Sequence, residues 1–380
     1  MKLGWRLVVG VAGTFIGCVL SLTVVNGQAA PAQSPPMEET VFKNIQVLKG
    51  IPVDEFMDTM GMFAAATAKD CTGCHVGDIL KRREAFAEST AQIQMARGMV
   101  RMMNEINAKF FGGRKRVTCY TCHINSPAPN RVPNLSIQYG SPLPENPNSM
   151  DFIALKDVPA NQVEQIFTKY LEALGGAQRL NAVTSFVATG TYAGWDTAFG
   201  EVPVEIFARA PDQLSTIVRR REGNNMWTFD GRNAWFAGVD SAIPNFTTTY
   251  TGGNLQGARI ESLIALAPAR LQQSFSRWQV SEDLIDDKPV QVLEGVNQGE
   301  LPVHLYFDES GLLVRLVRWA DTAVGPVPTQ YDYSDYREVG GVRRPFQWVK
   351  TWTNNKATFK LKDVRPNVAI EPARFGRPTA

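Results

Sequence analysis

The sequence predicts two unlike folding regions in one chain: a mainly α-helical N-terminal region, then an α+β region built on an antiparallel sheet with helices to one side. Three observations predict this. Residues 41–125 are rich in Ala, Met and charge and carry helical periodicity. A proline-dense stretch follows. Beyond Pro159, short alternating apolar runs recur between turn signals. A chain of 380 residues is long enough for two buried cores. A net charge of +2 leaves no electrostatic footprint for nucleic acid.

Taken in order, residues 1–30 open with Lys2 and Arg6, and no charge follows until Glu38. Leu7 to Val25 is apolar or small apart from Thr14, Ser21 and Thr23, and a small, polar stretch around Ala29 succeeds it. This is the pattern of an export signal. Three fates fit it: cleavage near Ala29, retention as a membrane anchor, or lipidation at Cys18. Each places the body of the protein in the periplasm or on the outer face of a membrane, and two of them tie it there through the N-terminus. Residues 31–40 are a Pro-rich lead-in. Residues 126–159 are a Pro-rich linker, with six prolines between Ser126 and Pro147.

Residues 160–380 form the β-rich region. Val163 to Leu174 reads as a helix closed by Gly175-Gly176. Strands are expected at 185–192, 202–208, 214–219, 226–229, 290–294, 303–307, 312–319, 347–352 and 358–361. A helical insert is expected at Gly257 to Phe275. No repeat of fixed period is present, which argues against a propeller.

The chemistry lies in residues 41–125. Cys71-Thr72-Gly73-Cys74-His75 and Cys119-Tyr120-Thr121-Cys122-His123 are both C-x-x-C-H. Thiols one helical turn apart reach the two vinyl groups of one haem and form thioethers. The adjacent imidazole then meets the iron. At this chain's Cys and His frequencies, one chance occurrence is expected on the order of once in a thousand such chains. Zinc or a pair of disulfides would leave both histidines unexplained. The reading is therefore two covalently bound c-type haems, held by Cys71, Cys74, Cys119 and Cys122, with His75 and His123 on iron.

A sixth ligand is needed for simple electron transfer. His304 is the one remaining histidine, and it lies on an expected strand where an ordinary sheet histidine is the better reading. Methionine is the other usual choice. Seven of the eleven Met lie between residues 57 and 103. Met95, Met99, Met102, Ile106 and Phe110 share one helical face, a pattern that also suits core packing.

The stretches Asn44–Leu48, Glu55–Met60, Ala96–Met99, Ile106-Asn107 and Val117–His123, with the two haem motifs, resemble the cytochrome c subunit of photosynthetic reaction centres. The likeness runs from about residue 41 to 130 and covers one haem pair of a four-haem subunit. It implies a dihaem c-type cytochrome domain in which Met60 serves the first iron and Met99 the second. It also implies a reaction centre among the candidate redox partners. The sequence departs from the family in three respects. It carries two haems. Phe110–Arg114 lacks the family's cross-ligating histidine. Ile124-Asn125 replaces the usual Arg-Gly. Residues 38–131 hold 13 Lys+Arg against 10 Asp+Glu, so Arg97, Arg101, Arg114, Lys115 and Arg116 are candidates to pair with haem propionates.

The C-terminal region resembles LolA/LolB-like lipoprotein carriers: a helix ending in Gly-Gly, long strands, and the strand, Asp-x-x-Gly turn, strand pattern of Val303 to Arg318. That resemblance implies a curved, half-barrel-like sheet enclosing an apolar pocket for lipid. Trp227, Trp235, Trp278, Trp319, Trp348 and Trp352 are candidates for its lining or for plain core. Three function classes follow. The first is an exported electron carrier without catalytic residues. The second is an apolar-ligand or lipoprotein-binding protein with a redox-sensing haem module. The third is a dihaem peroxidase-like enzyme, which the methionines beside both motifs disfavour.

Overall fold

The computed structural model describes residues 34–79, 81–133, 146–150, 160–238 and 247–378. The apolar leader, Cys18 and much of the Pro-rich linker lie outside these. Among the described residues no helix is long and apolar enough to cross a membrane.

Four helices build the first region: α1 (Glu38–Val41), α2 (Val53–Thr67), α3 (Ala91–Phe111) and α4 (Cys119–His123). α2 starts with Asp54 and Glu55 in its first turn, where carboxylates suit the helix dipole, and ends on Ala68 in the left-handed conformation. α3 is capped by Thr90, whose hydroxyl accepts from the Ile93 amide at 3.1 Å. It is closed by Gly112 and Gly113, both at positive φ, with the Gly113 amide donating to the Asn107 carbonyl.

The second region is a single sheet of thirteen strands. In chain order they are β1 (Ser185–Gly194), β2 (Val202–Arg209), β3 (Gln213–Arg220), β4 (Gly223–Phe229), β5 (Ala234–Ala237), β6 (Thr247–Thr249), β7 (Arg277–Ile285), β8 (Lys288–Val296), β9 (Val303–Phe307), β10 (Leu313–Ala320), β11 (Val327–Val339), β12 (Val342–Trp352) and β13 (Asn355–Pro366). Each strand pairs antiparallel with its sequence neighbour within β1–β6 and within β7–β13. β13 returns to pair with β1, so β6 and β7 are the open edges. Three further helices accompany the sheet: α5 (Ala160–Ala173), α6 (Ala177–Ala182) and α7 (Gly252–Leu266), the last joining the two edge strands.

α7 touches both β4 and β10, which lie seven strand steps apart. Laid flat, that separation is about 34 Å, whereas the helix is about 22 Å long. The sheet therefore curves around α7. It is open, as a half-barrel is. The face inside the curve carries the main core, where Phe167 and Tyr170 of α5 and Ile260 and Leu263 of α7 meet Phe186, Leu305, Phe307 and Phe359. The nine expected strands are all present. β5, β6, β7 and β11 were not among them. β6 has three residues, and β7 buries none of its own, so neither leaves an alternating pattern to read. The expected helix at 257–275 is α7 followed by two 3₁₀ turns.

The outer face is covered in part by the linker. Met150 packs on Val290, Val292, Tyr306, Val317 and Trp319, and the Trp319 indole donates to the Asn148 carbonyl at 3.1 Å. His304 lies in this layer, edge-on to Trp319 and 3.8 Å from Glu294. Burial pulls its imidazole from 6.5 down to about 4. The folded chain thus resists a proton that the unfolded chain accepts. The stability so gained is fully present above pH 6.5 and falls as pH drops toward 4, by up to about 3 kcal/mol. Glu294, raised by the same burial, slopes the opposite way. His304→Gln should therefore flatten the acid limb of urea-unfolding curves taken from pH 7 to 4. An unchanged limb would mean that His304 is protonated in the fold.

The helical region is fastened to the sheet along α2. Asp54 accepts from the Thr251 amide at 2.6 Å and from its hydroxyl at 3.0 Å, and Asp58 accepts from Asn254 at 2.7 Å. One helical turn further, Gly61 lies against the β12–β13 turn, where any Cβ would overlap the Thr353 and Asn354 side chains. Lys115 donates to Asp321 at 2.9 Å and to the Thr322 carbonyl at 2.5 Å. Met62, Val100, Met103, Ala320, Val324 and Val327 form a small joint core. Gly325, at φ +128, lets the β10–β11 loop close on Thr118 and Met62.

Candidate haem site

Each C-x-x-C-H sequence forms one helical turn. In the first, a 3₁₀ turn over Cys71–Gly73 is capped by Asp70, which accepts from the Gly73 amide at 3.1 Å and from Thr72 at 2.6 Å. The His75 amide closes the turn on the Cys71 carbonyl at 2.9 Å. In the second, α4 is held by a capping box between Thr118 and Thr121. Both therefore set their thiols three residues apart on one turn. Among the described residues no disulfide joins the four motif cysteines, and Cys71 and Cys122 are exposed. Burial pushes the Cys119 thiol up to about 11, where its side chain packs beside the joint core.

The two histidines are held differently. His123 Nδ1 is 3.0 Å from the Ser126 carbonyl. That contact places the proton on Nδ1 and leaves Nε2 with its lone pair free for a metal. His75 sits edge-on to Phe86 at 5.0 Å, and burial holds it below the usual imidazole range, in the neutral form a metal requires. Its Nδ1 is buried without a hydrogen-bond partner among the described residues. The Ser126 amide in turn donates to Ala66 of α2 at 3.0 Å, drawing the second motif against the first methionine helix.

The methionine stripe of α3 faces outward. Met95 is 65%, Met99 42%, Met102 47% and Phe110 67% exposed, and Tyr120 and Ile124 of the second motif are exposed as well. The face turned inward is Arg97, Val100, Met103 and Asn107. Core packing within the chain therefore does not explain the stripe. An apolar surface of this extent beside paired thiols and two ligand-ready imidazoles fits a large, flat apolar group such as haem. On α2, Met62 is committed to the joint core, while Met60 lies off the sheet-facing stripe of Asp54, Asp58 and Gly61.

Two of the five basic candidates are already engaged. Arg97 is buried and donates to the Asn44 carbonyl at 2.7 Å, and Lys115 binds the sheet. Arg101, Arg114 and Arg116 remain exposed. Sequence reasoning missed Asn107. Its Oδ1 accepts from the Arg116 and Val117 amides at 3.1 and 2.9 Å, and its Nδ2 donates to the Val117 carbonyl at 2.7 Å. This residue shapes the return loop that delivers α4. Its place in the Ile106-Asn107 stretch that carries the resemblance was the hint the sequence held.

Inside the sheet lies a cavity of about 130 Å³, walled by Tyr170, Phe186, Ile206, Trp227, Trp348 and Phe359 and reaching Trp352. Trp235 and Trp319 are buried elsewhere, and Trp278 packs on Phe167 and Phe275. At the cavity's polar end, Glu261 accepts from the Tyr331 hydroxyl and lies 3.6 Å from Arg318 and 3.8 Å from Lys350.

Residues 19–173 match a family model described as the photosynthetic reaction centre cytochrome C subunit, a longer span than the stretches that carry the resemblance. The photosynthetic reaction center cytochrome c subunit of Rubrivivax gelatinosus is 29% identical over 115 residues, which is 28% of this chain and 30% of that protein. The chain thus spans under a third of the curated relative it matches. Among solved structures, a LolA superfamily protein from Nitrosomonas europaea aligns with 56% of this chain and 96% of its own, at 13% identity and a TM-score of 0.36.

Proposed function

We propose that this chain is an exported dihaem c-type cytochrome that passes electrons between partners at or near the membrane. The observation that carries the reading is the pair of C-x-x-C-H turns, one of which has its histidine Nδ1 engaged by a backbone carbonyl so that Nε2 is left for iron. Cys71 and Cys74 hold one haem and Cys119 and Cys122 the other. His75 with Met60 would hold one iron, and His123 with Met99 the other. When bound, haem supplies reversible one-electron chemistry, and methionine opposite histidine favours the reduced iron. The chain's own part is to hold His75 neutral and His123 oriented, and to cover an apolar group with the α3 stripe. Arg101, Arg114 and Arg116 are placed to meet propionates. A reaction centre is one candidate partner, in keeping with the name of the matched relative.

A redox titration with visible spectra tests this on protein matured in the periplasm of a host with haem-attachment machinery. Two low-spin, six-coordinate haems are expected. A colourless product, or high-spin spectra throughout, would overturn the reading. The cavity favours a second role alongside the first: the sheet takes an apolar ligand. Native mass spectrometry of the purified protein should show a co-purifying small molecule.

A further inference from the structure

The charges around the cavity are not evenly balanced. Lys350 and Arg318 share Glu261, and Asp58 of α2 acts electrostatically on both, so two cations face two acids. Arg344 of β12 has no such partner. It lines the cavity, stacks 4.6 Å over the Phe186 ring and donates to the Ala265 carbonyl near the end of α7. Among the described residues no carboxylate pairs with it, and burial pulls its guanidinium down to about 10. The C-terminal end of α7 offsets roughly half a charge. One of five donors is used in that contact. None of the others is a sealed, partnerless atom, and the residue is half-buried, so water or a ligand at the cavity can reach them. A deep cation left in this state is costly unless an anion completes it.

We propose that the cavity binds an amphiphilic monocarboxylate of the fatty-acid class, its carboxylate paired with Arg344 and its chain lying among Phe186, Ile206, Trp348 and Phe359. This rests on the reading of the sheet as an apolar-ligand site and specifies its head group. A guanidinium fork matches a carboxylate with two parallel hydrogen bonds. Arg343 also lines the cavity, but it is exposed and solvent screens its charge, so Arg344 is left as the cation that a monoanion would complete. The enclosed volume resembles that of cavities that hold benzene-sized guests, and the cavity is partly open, so part of a ten-carbon chain lies inside and the rest extends through the mouth.

Calorimetric titration of the full, haem-loaded chain with decanoate, decanol and decyl phosphate tests the proposal. Decanoate should bind roughly tenfold or more tightly than decanol, in keeping with a charge-assisted pair. Arg344→Met should remove that preference by weakening decanoate while leaving decanol within about twofold. Arg337→Gln, at an exposed position of β11 outside the cavity, should leave it intact. Equal affinity for decanoate and decanol in the unaltered chain overturns the carboxylate assignment and leaves the apolar site standing. Tighter binding of decyl phosphate overturns it in favour of a phosphate head. Failure of all three ligands to bind overturns the apolar-site reading itself. The comparison in the unaltered chain decides the matter even if Arg344→Met does not fold.

Discussion

Protein matured in the periplasm is expected to exceed the mass of its processed polypeptide by two haem groups, and Cys119→Ser/Cys122→Ser to exceed its own by one. The increments should survive denaturation, because thioethers do not dissociate. Independence of the two sites follows from their construction. The first motif is shaped by Asp70 and Thr72, the second by Thr118, Thr121 and Asn107. The double variant should also lose stability, because Cys119 packs beside Met62 and Val100. A mass equal to the bare chain, or loss of both haems from the double variant, would contradict separate attachment.

The methionines allow a sharper contrast. Met99 is 42% exposed in the bare chain, so Met99→Ala should change the unfolding free energy of haem-free protein by no more than about 0.5 kcal/mol, as at other surface positions. The same change should lower one reduction potential by on the order of 0.1 V, a fraction of the roughly 0.8 V range that axial ligands span, and convert one haem from low to high spin. Met62→Ala should do the opposite. Met62 is 6% exposed in the joint core, so its loss costs about 2–5 kcal/mol while both potentials hold. Met60→Ala should behave like Met99→Ala in the spectrum. Potentials unmoved by Met60→Ala and Met99→Ala would remove both residues from the ligand set.

What could be read from the residues alone follows from where each pattern originates. The C-x-x-C-H turns are local, and each is set by a few neighbouring side chains. The nine foreseen strands bury one face or lie within a continuous apolar run, so they leave a period. β6 is too short and β7 buries too little to leave one. The direction of the α3 stripe was also hidden, because spacing shows that Met95, Met99 and Met102 share a face but not which way the face turns. That depends on Val100 and Met103 meeting Ala320, Val324 and Val327 more than two hundred residues later. The fastening of α2 to the sheet is equally non-local. Asp54, Asp58 and Gly61 carry no mark of their partners Thr251, Asn254 and Asn354.

The packing of Cys119 has a temporal corollary. The loop that closes over its neighbourhood is made of residues 320–327, two hundred positions downstream. A thiol that has become this hard to ionise is a poor nucleophile once the lid is down. During synthesis and export, however, the motif emerges long before its cover. If the proposed haem is attached here, the chain leaves an interval in which the sulfur is open to reaction, and the late-arriving loop then covers the joint in part.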